Sequence, residues 1–140
     1  APRPLPDFNV FSRYAANFPW ISHAEWTLTQ MIRWGQIDRP VDIAATAAAV
    51  YKPDLYRKVA AQMDIAAPTI DRKPEGVNTS AWTLTEATRP IAMGPDVFFD
   101  GTRFDPADPV GYIRQFAIKA PAVDLTALAA AQTTPRASAA

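Results

Sequence analysis

Apolar residues recur at helical spacing between residues 22 and 34, and this pattern predicts the strongest helix of the chain. One face of the helix is marked by a regular set of apolar positions: Ile21, Ala24, Leu28, Met31 and Ile32. Trp26 and Trp34 lie on another face, eight residues apart. A helix that is apolar on more than one side is normally buried against more than one neighbour, so we expect several elements to cover it.

Capping signals mark both ends of this helix. Ser22 and Glu25 have the S-x-x-E spacing, in which each side chain accepts a hydrogen bond from the other residue's backbone N–H. Gly35 follows the helix directly and is predicted to be a left-handed C-cap. The sequence therefore predicts a helix with a capping box at its start and a glycine at its end.

Four further helices are predicted from weaker signals. Residues 40–50 are rich in alanine and favour a packing helix, and a third helix begins at Pro53, a favourable first-turn residue. Its apolar contacts are expected from a set of large side chains: Val50, Tyr51, Leu55, Tyr56, Val59 and Met63. Asp108, followed by proline, predicts the cap of a short helix that ends at residue 116. A last helix is predicted for residues 124–132.

The stretch between these helices is predicted to be mostly loop. Prolines and a glycine interrupt residues 66–93, where Thr83 and Glu86 have the spacing of a second capping box around one helical turn. Further along, Asp100 and Gly101 separate two short apolar runs and favour the tight turn of a β-hairpin. The predicted fold class is mostly α with a short β-hairpin.

The whole chain is interpreted as a single unit, residues 1–140, because no repeat or low-complexity linker divides it. Residues 1–7 contain three prolines and are predicted to be an extended lead-in, while residues 133–140 are predicted to be a flexible tail. No apolar stretch approaches the roughly 18–20 residues needed to cross a bilayer, so no membrane span is predicted.

Composition excludes several classes of function. Fourteen Lys and Arg balance fourteen Asp and Glu, and no basic run contains aromatic residues, so nucleic acid is not an expected partner. The chain has no cysteine, which excludes disulfides, thiol catalysis and cysteine-ligated zinc. His23 is the single histidine, so no site can use two imidazoles.

No pattern indicates an enzyme, a cofactor or a metal site. The five glycines form no phosphate-binding loop, and no G-x-S-x-G motif is present. Ser22 and His23 are adjacent, and neighbours on a helix face different directions, so we predict no catalytic residue. Four aspartates crowd one region but are better explained by turns and caps than by calcium binding: Asp96, Asp100, Asp105 and Asp108.

Three residues are candidates for ligand binding, each with a structural alternative. His23 could donate a hydrogen bond to an oxyanion, or it could be an ordinary first-turn surface histidine. Arg33 and Trp34, with Trp26, could stack on a planar ligand, or these aromatic side chains could belong to the core. From the residues alone, the conclusion is a helical unit without a self-contained active site.

Three ordered blocks of sequence nevertheless resemble one family. Residues 18–36 resemble the signature F-P-x-x-S-H-x-x-W-x-L-x-x-x-x-R-W-G of the nitrate- and bicarbonate-binding proteins of ABC importers. Residues 50–60 resemble the segment that follows in these proteins, and residues 98–112 resemble their element F-F-D-G-x-x-F-D-P-x-x-P-x-x-Y. The residues taken as the structural signature are Ser22, Glu25, Trp26, Gly35, Asp100, Gly101 and Tyr112.

The resemblance implies the C-terminal part of a two-lobed α/β periplasmic-binding-protein (type 2) fold, which closes on a small planar oxyanion such as nitrate, nitrite or bicarbonate. In this family the anion is held mainly by residues upstream of the matched blocks, so no binding residue is carried over. The implied partner is an ABC permease, and the implied location is periplasmic or membrane-associated on the outer side.

An alternative implied by the same resemblance is a cytoplasmic nitrate or nitrite sensor that binds a regulatory partner of the antiterminator type. A free-standing helical interaction module is a third alternative. In the binding-protein interpretation, the first helix braces the lobes and is expected to be packed by large apolar side chains: Trp26, Trp34, Phe98, Phe99, Phe104 and Tyr112.

Overall fold

The computed structural model describes residues 3–4, 9–117 and 123–133. A short 3-10 turn, Arg13–Ala15, precedes the helices α1 (Ile21–Arg33), α2 (Ile43–Val50) and α3 (Pro53–Gln62). The strands β1 (Trp82–Leu84) and β2 (Ile91–Met93) follow, and then the helices α4 (Pro109–Arg114) and α5 (Leu125–Ala130). Nearly all of the predicted lead-in and tail lies outside the described residues.

Helix α1 is central to the described part of the chain because it packs against both α2 and α4. One core cluster joins α1, α2, α4 and α5, and its buried members are Ile32, Ile43, Val110, Ile113, Val123 and Leu128. The helix ends as predicted, since Gly35 has a φ of 69°. The N–H groups of Gly35 and Gln36 then donate to the carbonyls of Ile32 and Met31, which is the Schellman arrangement.

The predicted capping box at the start of α1 is wrong. The helix begins at Ile21, its N-cap is Trp20, and no side chain caps it. Ser22 and Glu25 instead lie within the helix and are fully buried. A tertiary contact replaces the local cap. The Ile21 N–H donates to the carbonyl of Asp71, so it has a partner from a distant part of the chain.

The segment predicted as loop contains the two strands. Strands β1 and β2 pair antiparallel with Trp82 opposite Met93, and Leu84 and Met93 face a second core cluster. Phe18 and Trp20 belong to that cluster, so the segment before α1 covers this small sheet. Thr83 lies in β1 and Glu86 beyond it, so they form no capping box.

The predicted hairpin around Asp100 and Gly101 forms only its turn. Gly101 has a φ of 71°, and Asp100 Oδ1 accepts hydrogen bonds from the backbone N–H and the hydroxyl of Thr102. No strands flank the turn, because Phe104 exchanges both backbone hydrogen bonds with Glu75 instead. The expected packing role of Phe99 is also wrong, since its side chain is fully exposed.

Helix α3 begins at Pro53 as predicted, but most of its predicted apolar contacts are absent. Four large side chains of this set are exposed: Val50, Leu55, Val59 and Met63. Tyr56 packs on the second core, and Arg57 anchors the helix by donating to the carbonyls of Pro68 and Ile70 and to the carboxylate of Asp71. A charged side chain therefore holds this helix where a wholly apolar contact was expected.

Helix α4 has its predicted cap at Asp108, and α5 also begins after an aspartate cap. Asp108 accepts a hydrogen bond from the N–H of Gly111 at the start of α4, and Asp124 accepts from the N–H of Thr126 at the start of α5. Tyr112 and Ile113 of α4 are buried as predicted. Local signals suffice here because the cap and the first turn are adjacent in sequence.

Two glycines with positive φ provide a test of the backbone. A Cβ atom at Gly76 (φ 80°) lies 2.4 Å from the Thr102 carbonyl oxygen, whereas a Cβ at Gly101 (φ 71°) meets nothing within 4 Å. We expect Gly101→Ala to cost about 1 kcal/mol of unfolding free energy for the left-handed backbone. Gly76→Ala adds the clash and is expected to cost about 2–4 kcal/mol. Urea unfolding measures both, and equal losses would contradict the close approach at Gly76.

Candidate functional site

An open cleft of about 270 Å³ lies beside the first turns of α1. Helix α1 contributes His23, Trp26 and Thr27, whose i, i+3 and i+4 spacing places them on one face. Glu75 comes from the extended segment 71–75, and Phe98 comes from the loop before the Asp100 turn. The lining therefore combines two aromatic rings, an imidazole, a hydroxyl and a carboxylate.

The two aromatic rings form a stacked wall. The Trp26 and Phe98 ring centroids lie 5.6 Å apart with an interplanar angle of 14°. Trp26 also donates its Nε1–H to the Tyr112 hydroxyl over 3.1 Å, which ties the wall to α4. Trp26 is half-buried, so it packs α1 against α4 and lines the cleft at the same time.

The carboxylate of Glu75 is buried, with only 7% of the residue exposed. Its Oε2 atom accepts a hydrogen bond from Lys73 Nζ, and Lys73 also lies 3.8 Å from Asp96 Oδ2. Its Oε1 atom lies 2.9 Å from His23 Nε2, yet no group meets hydrogen-bond geometry with it. One ammonium group is therefore shared by two carboxylates beside the cleft.

The second carboxylate of this cluster is held in its charged form. Burial alone raises the pKa of Asp96, but hydrogen bonds from Asn78 and Val77 and the charge of Lys73 outweigh burial, so the pKa is lowered. The Asn78 side chain donates to Asp96 Oδ2 over 2.7 Å, and the Asn78 and Val77 N–H groups donate to Oδ1. Asp96 thus keeps a negative charge next to Lys73.

A separate buried carboxylate, Glu25, lies within α1. Arg72 Nε donates to Glu25 Oε1 over 2.8 Å, and Glu25 Oε2 is buried without a hydrogen-bond partner. Burial raises the pKa of Glu25, and the hydrogen bond and charge of Arg72 oppose this shift without cancelling it. The Glu25–Arg72 pair is therefore a structural contact, and burial makes the charged form of Glu25 energetically costly.

The three candidate ligand-binding residues are not brought together. His23 faces Glu75 in the cleft, whereas Arg33 and Trp34 do not line it. The Arg33 guanidinium lies 3.4 Å from the Phe116 ring centroid and donates to Gln30 Oε1 over 2.7 Å. Trp34 is 52% exposed at the end of α1, so its expected burial is wrong. A carboxylate facing His23 makes the cleft unfavourable for a small oxyanion.

Sequence reasoning missed the polar residues of segment 71–75. Arg72, Lys73 and Glu75 flank one proline and precede a glycine in D-R-K-P-E-G, which looks like an exposed loop. A possible signal was the alternation of Lys73 and Glu75, because alternate residues of an extended segment share one side. Both side chains are buried in the structure.

The described part of the chain contains neither a metal-binding cluster nor a helix that could span a membrane. Within residues 3–4, 9–117 and 123–133, no group of three His, Cys, Asp or Glu side chains could hold a metal ion. Across the same residues, every helix is too short or too polar to span a bilayer.

Comparison with known proteins shows similarity to components of nitrate import. The chain is 32% identical over 104 residues to "Nitrate/nitrite binding protein NrtA" of Synechocystis sp., which is 74% of this chain and 20% of that protein. It is 30% identical over 104 residues to the NrtA protein of Nostoc sp.. It is also 32% identical over 114 residues to "Nitrate import ATP-binding protein NrtC" of Synechocystis sp., covering 81% of this chain and 14% of that protein.

These matches confirm the resemblance to nitrate-binding proteins that the sequence blocks indicated. The chain spans about a fifth of the length of the NrtA proteins and less of the NrtC proteins. No protein-family profile matches the chain. No solved structure matches it either.

The opposite pKa shifts of two carboxylates predict opposite pH dependences. A raised pKa means that Glu25 contributes stability at low pH, which is lost as the pH rises through its folded-state pKa. A lowered pKa means that Asp96 contributes stability at neutral pH, which is lost as the pH falls through its folded-state pKa. As the pH rises from about 3 to about 7, the free energy of unfolding of the wild type should therefore fall relative to that of Glu25→Gln. Over the same range it should rise relative to that of Asp96→Asn. Urea unfolding across this range measures both differences, and slopes of the same sign would contradict the assignment.

The two tryptophans of α1 form a matched pair for the packing role. Trp26→Ala removes a half-buried indole, its stack on Phe98 and its hydrogen bond to Tyr112. We expect a loss of about 2–3 kcal/mol, less than the 3–5 kcal/mol typical of a fully buried aromatic residue. Trp34→Ala is the control, with an expected loss below about 1 kcal/mol, since Trp34 is half exposed. Thermal unfolding measures both, and a larger loss in the control would refute the packing role of Trp26.

Proposed function

The chain resembles a segment of the nitrate-binding proteins, and on this premise we propose that it is a C-terminal segment of a solute-binding protein that delivers nitrate, nitrite or bicarbonate to an ABC importer. The observation that carries the proposal is the similarity over about three quarters of the chain. In this function the segment braces the two lobes of a periplasmic-binding-protein fold, and other residues hold the anion. The protein catalyses no reaction.

The geometry supports a bracing role in preference to a binding role. Helix α1 is tied to α4 by Trp26 and Tyr112 and to segment 71–75 by buried polar contacts. His23, a candidate anion donor, lies against the Glu75 carboxylate, which repels a small anion. Large apolar side chains are exposed on α3 and after it, as expected if further polypeptide covers this surface in the whole protein: Leu55, Val59, Met63, Val97 and Phe99.

The proposed partner in transport is an ABC permease on the outer side of the membrane. The closed, anion-loaded form of the whole binding protein docks on the permease, and the segment contributes rigidity between the lobes. This assignment agrees with the name of the NrtA relatives, which are nitrate/nitrite binding proteins.

A second candidate function is supported by the NrtC matches. The chain is as similar to a nitrate import ATP-binding protein as it is to the binding proteins, at 32% identity in both cases. The same segment thus occurs in relatives that carry an ATP-binding part. We therefore propose, as the alternative, a regulatory sensor of nitrate or nitrite that acts on a protein partner in the cytoplasm.

A domain exchange with a relative tests the bracing role. The matched segment of the Synechocystis NrtA protein is replaced by this chain, and nitrate binding is measured by calorimetry. The graft should retain binding, whereas deletion of the segment should abolish it. The same graft carrying Trp26→Ala should have a lower melting temperature, with Trp34→Ala as the matched control. Undiminished nitrate binding by the deletion protein would contradict the proposal. The sensor alternative is supported if this chain, placed in NrtC instead of its matched segment, restores a nitrate response there, while the NrtA protein that carries this chain does not bind nitrate.

Titration of the isolated chain tests where the anion is held. Nitrate, nitrite and bicarbonate at millimolar concentration should give no saturable heat, because the cleft presents a carboxylate to them. Saturable binding of any of these anions would move the anion site into this segment and overturn the assignment.

A further inference from the structure

Three polar groups that line the cleft beside α1 already have partners within the chain. His23 Nε2 lies 2.9 Å from Glu75 Oε1, and the Thr27 hydroxyl donates to the His23 carbonyl over 2.9 Å. The Trp26 Nε1–H donates to the Tyr112 hydroxyl. The surface that remains open to an occupant is therefore mostly apolar. Such a surface disfavours a charged ligand and favours an apolar one.

The wall and the size of the cleft suit a single large apolar side chain. The Trp26 and Phe98 rings are stacked with their centroids 5.6 Å apart, and both residues are partly buried. Aromatic rings pack well on further aromatic rings, and tryptophan is enriched at the centres of protein interfaces. The volume of about 270 Å³ is below the roughly 300–1,000 Å³ of pockets that hold drug-sized ligands, so one side chain fits better than a whole small molecule.

A fully exposed phenylalanine follows the cleft residue Phe98 in the chain. Phe98 lines the cleft, whereas Val97 and Phe99 on either side of it are exposed, at 52% and 103%. A phenylalanine side chain presents roughly 150–250 Å² of surface, and exposed apolar patches of a few hundred Å² mark interaction sites. The cleft can thus receive a side chain, and Phe99 beside it can be received by a partner.

The rest of a longer binding protein is the occupant that the comparisons favour. The chain spans about a fifth of the length of the NrtA relatives, so most of the polypeptide of those proteins lies outside the matched stretch. Two of the sequence blocks that carry the resemblance meet at the cleft, because residues 18–36 contribute Trp26 and residues 98–112 contribute Phe98. A surface built by both blocks is expected to serve a contact that the whole protein makes.

We propose that the cleft and Phe99 form the surface by which this segment docks on the rest of the binding protein. The other polypeptide inserts one large apolar side chain against the wall of Trp26 and Phe98, and it covers Phe99. The inference rests on the proposed function and adds to it the place at which the brace is held. The docking needs no charged ligand and leaves the anion site outside this chain.

The first test uses the isolated chain and N-acetylphenylalanine amide, which represents the inserted side chain. Two-dimensional NMR should show saturable shifts centred on Trp26, Thr27 and Phe98, with a Kd of about 10 mM or tighter. N-acetylalanine amide is the control and should cause no saturable shift. Thr27→Phe fills the entrance from an exposed position on α1 and should weaken probe binding about tenfold or more with the fold intact. Equal binding of the two amides, or shifts elsewhere only, would overturn the proposal.

The second test uses the graft of this chain in the Synechocystis NrtA protein and follows hydroxyl-radical labelling by mass spectrometry. Phe99 should be labelled about tenfold or more slowly in the graft than in the isolated chain, because docking excludes water from its side chain. Phe11 is 79% exposed, does not line the cleft, and should keep its labelling rate. Phe99→Ala should leave the melting temperature of the isolated chain unchanged and lower that of the graft by about 2 °C or more.

The outcomes separate this inference from the proposed function. A graft that binds nitrate while Phe99 keeps its labelling rate contradicts the docking surface and leaves the transport function standing. A graft that binds no nitrate while Phe99 is protected supports the docking surface and contradicts the transport function. Protection of Phe99 in the isolated chain, together with a dimer in sedimentation, identifies a second copy as the occupant and overturns the proposal. If the graft does not fold, the probe titration of the isolated chain decides.

Discussion

The extended segment 71–75 holds the first turn of α1, and the rest of the described structure depends on this contact. Three hydrogen bonds make this contact. The Ile21 N–H donates to the Asp71 carbonyl, the Lys73 N–H donates to the Ser22 hydroxyl, and the Arg72 side chain donates to the Glu25 carboxylate. Ser22 and Glu25 are fully buried, so these partners are required to offset the loss of water. The same segment receives the Arg57 side chain from α3 and pairs through Glu75 with the backbone of Phe104.

This contact is also the reason why we propose a bracing role for the chain in preference to an anion-binding role. The polar groups near the first turn of α1 are occupied by one another, and in the cleft Glu75 Oε1 lies 2.9 Å from His23 Nε2. An anion needs donors, and the imidazole that could provide one here faces a carboxylate. The similarity to nitrate-binding proteins over a fifth of their length agrees with a structural share in a larger protein.

Local signals in the sequence predicted α1, the Gly35 cap, the start of α3 and the cap at Asp108, because each depends on neighbouring residues. The two strands were missed because three-residue strands carry almost no periodic signal, and burial of Leu84 and Met93 depends on the distant Phe18 and Trp20. The capping box failed for the same reason, since a distant segment supplies the partners of Ser22 and Glu25. The cleft joins residues from three separate stretches, and no local pattern could have assembled it.

Native-state hydrogen exchange measures the anchoring of segment 71–75 most directly. We expect the N–H groups of Ile21 and Lys73 to exchange as slowly as that of Ile32 in the core of α1, because opening the contact exposes buried Ser22 and Glu25 and unfolds the helix. Fast exchange at Ile21 and Lys73 with Ile32 still protected would show that the segment opens on its own, and would contradict its central role.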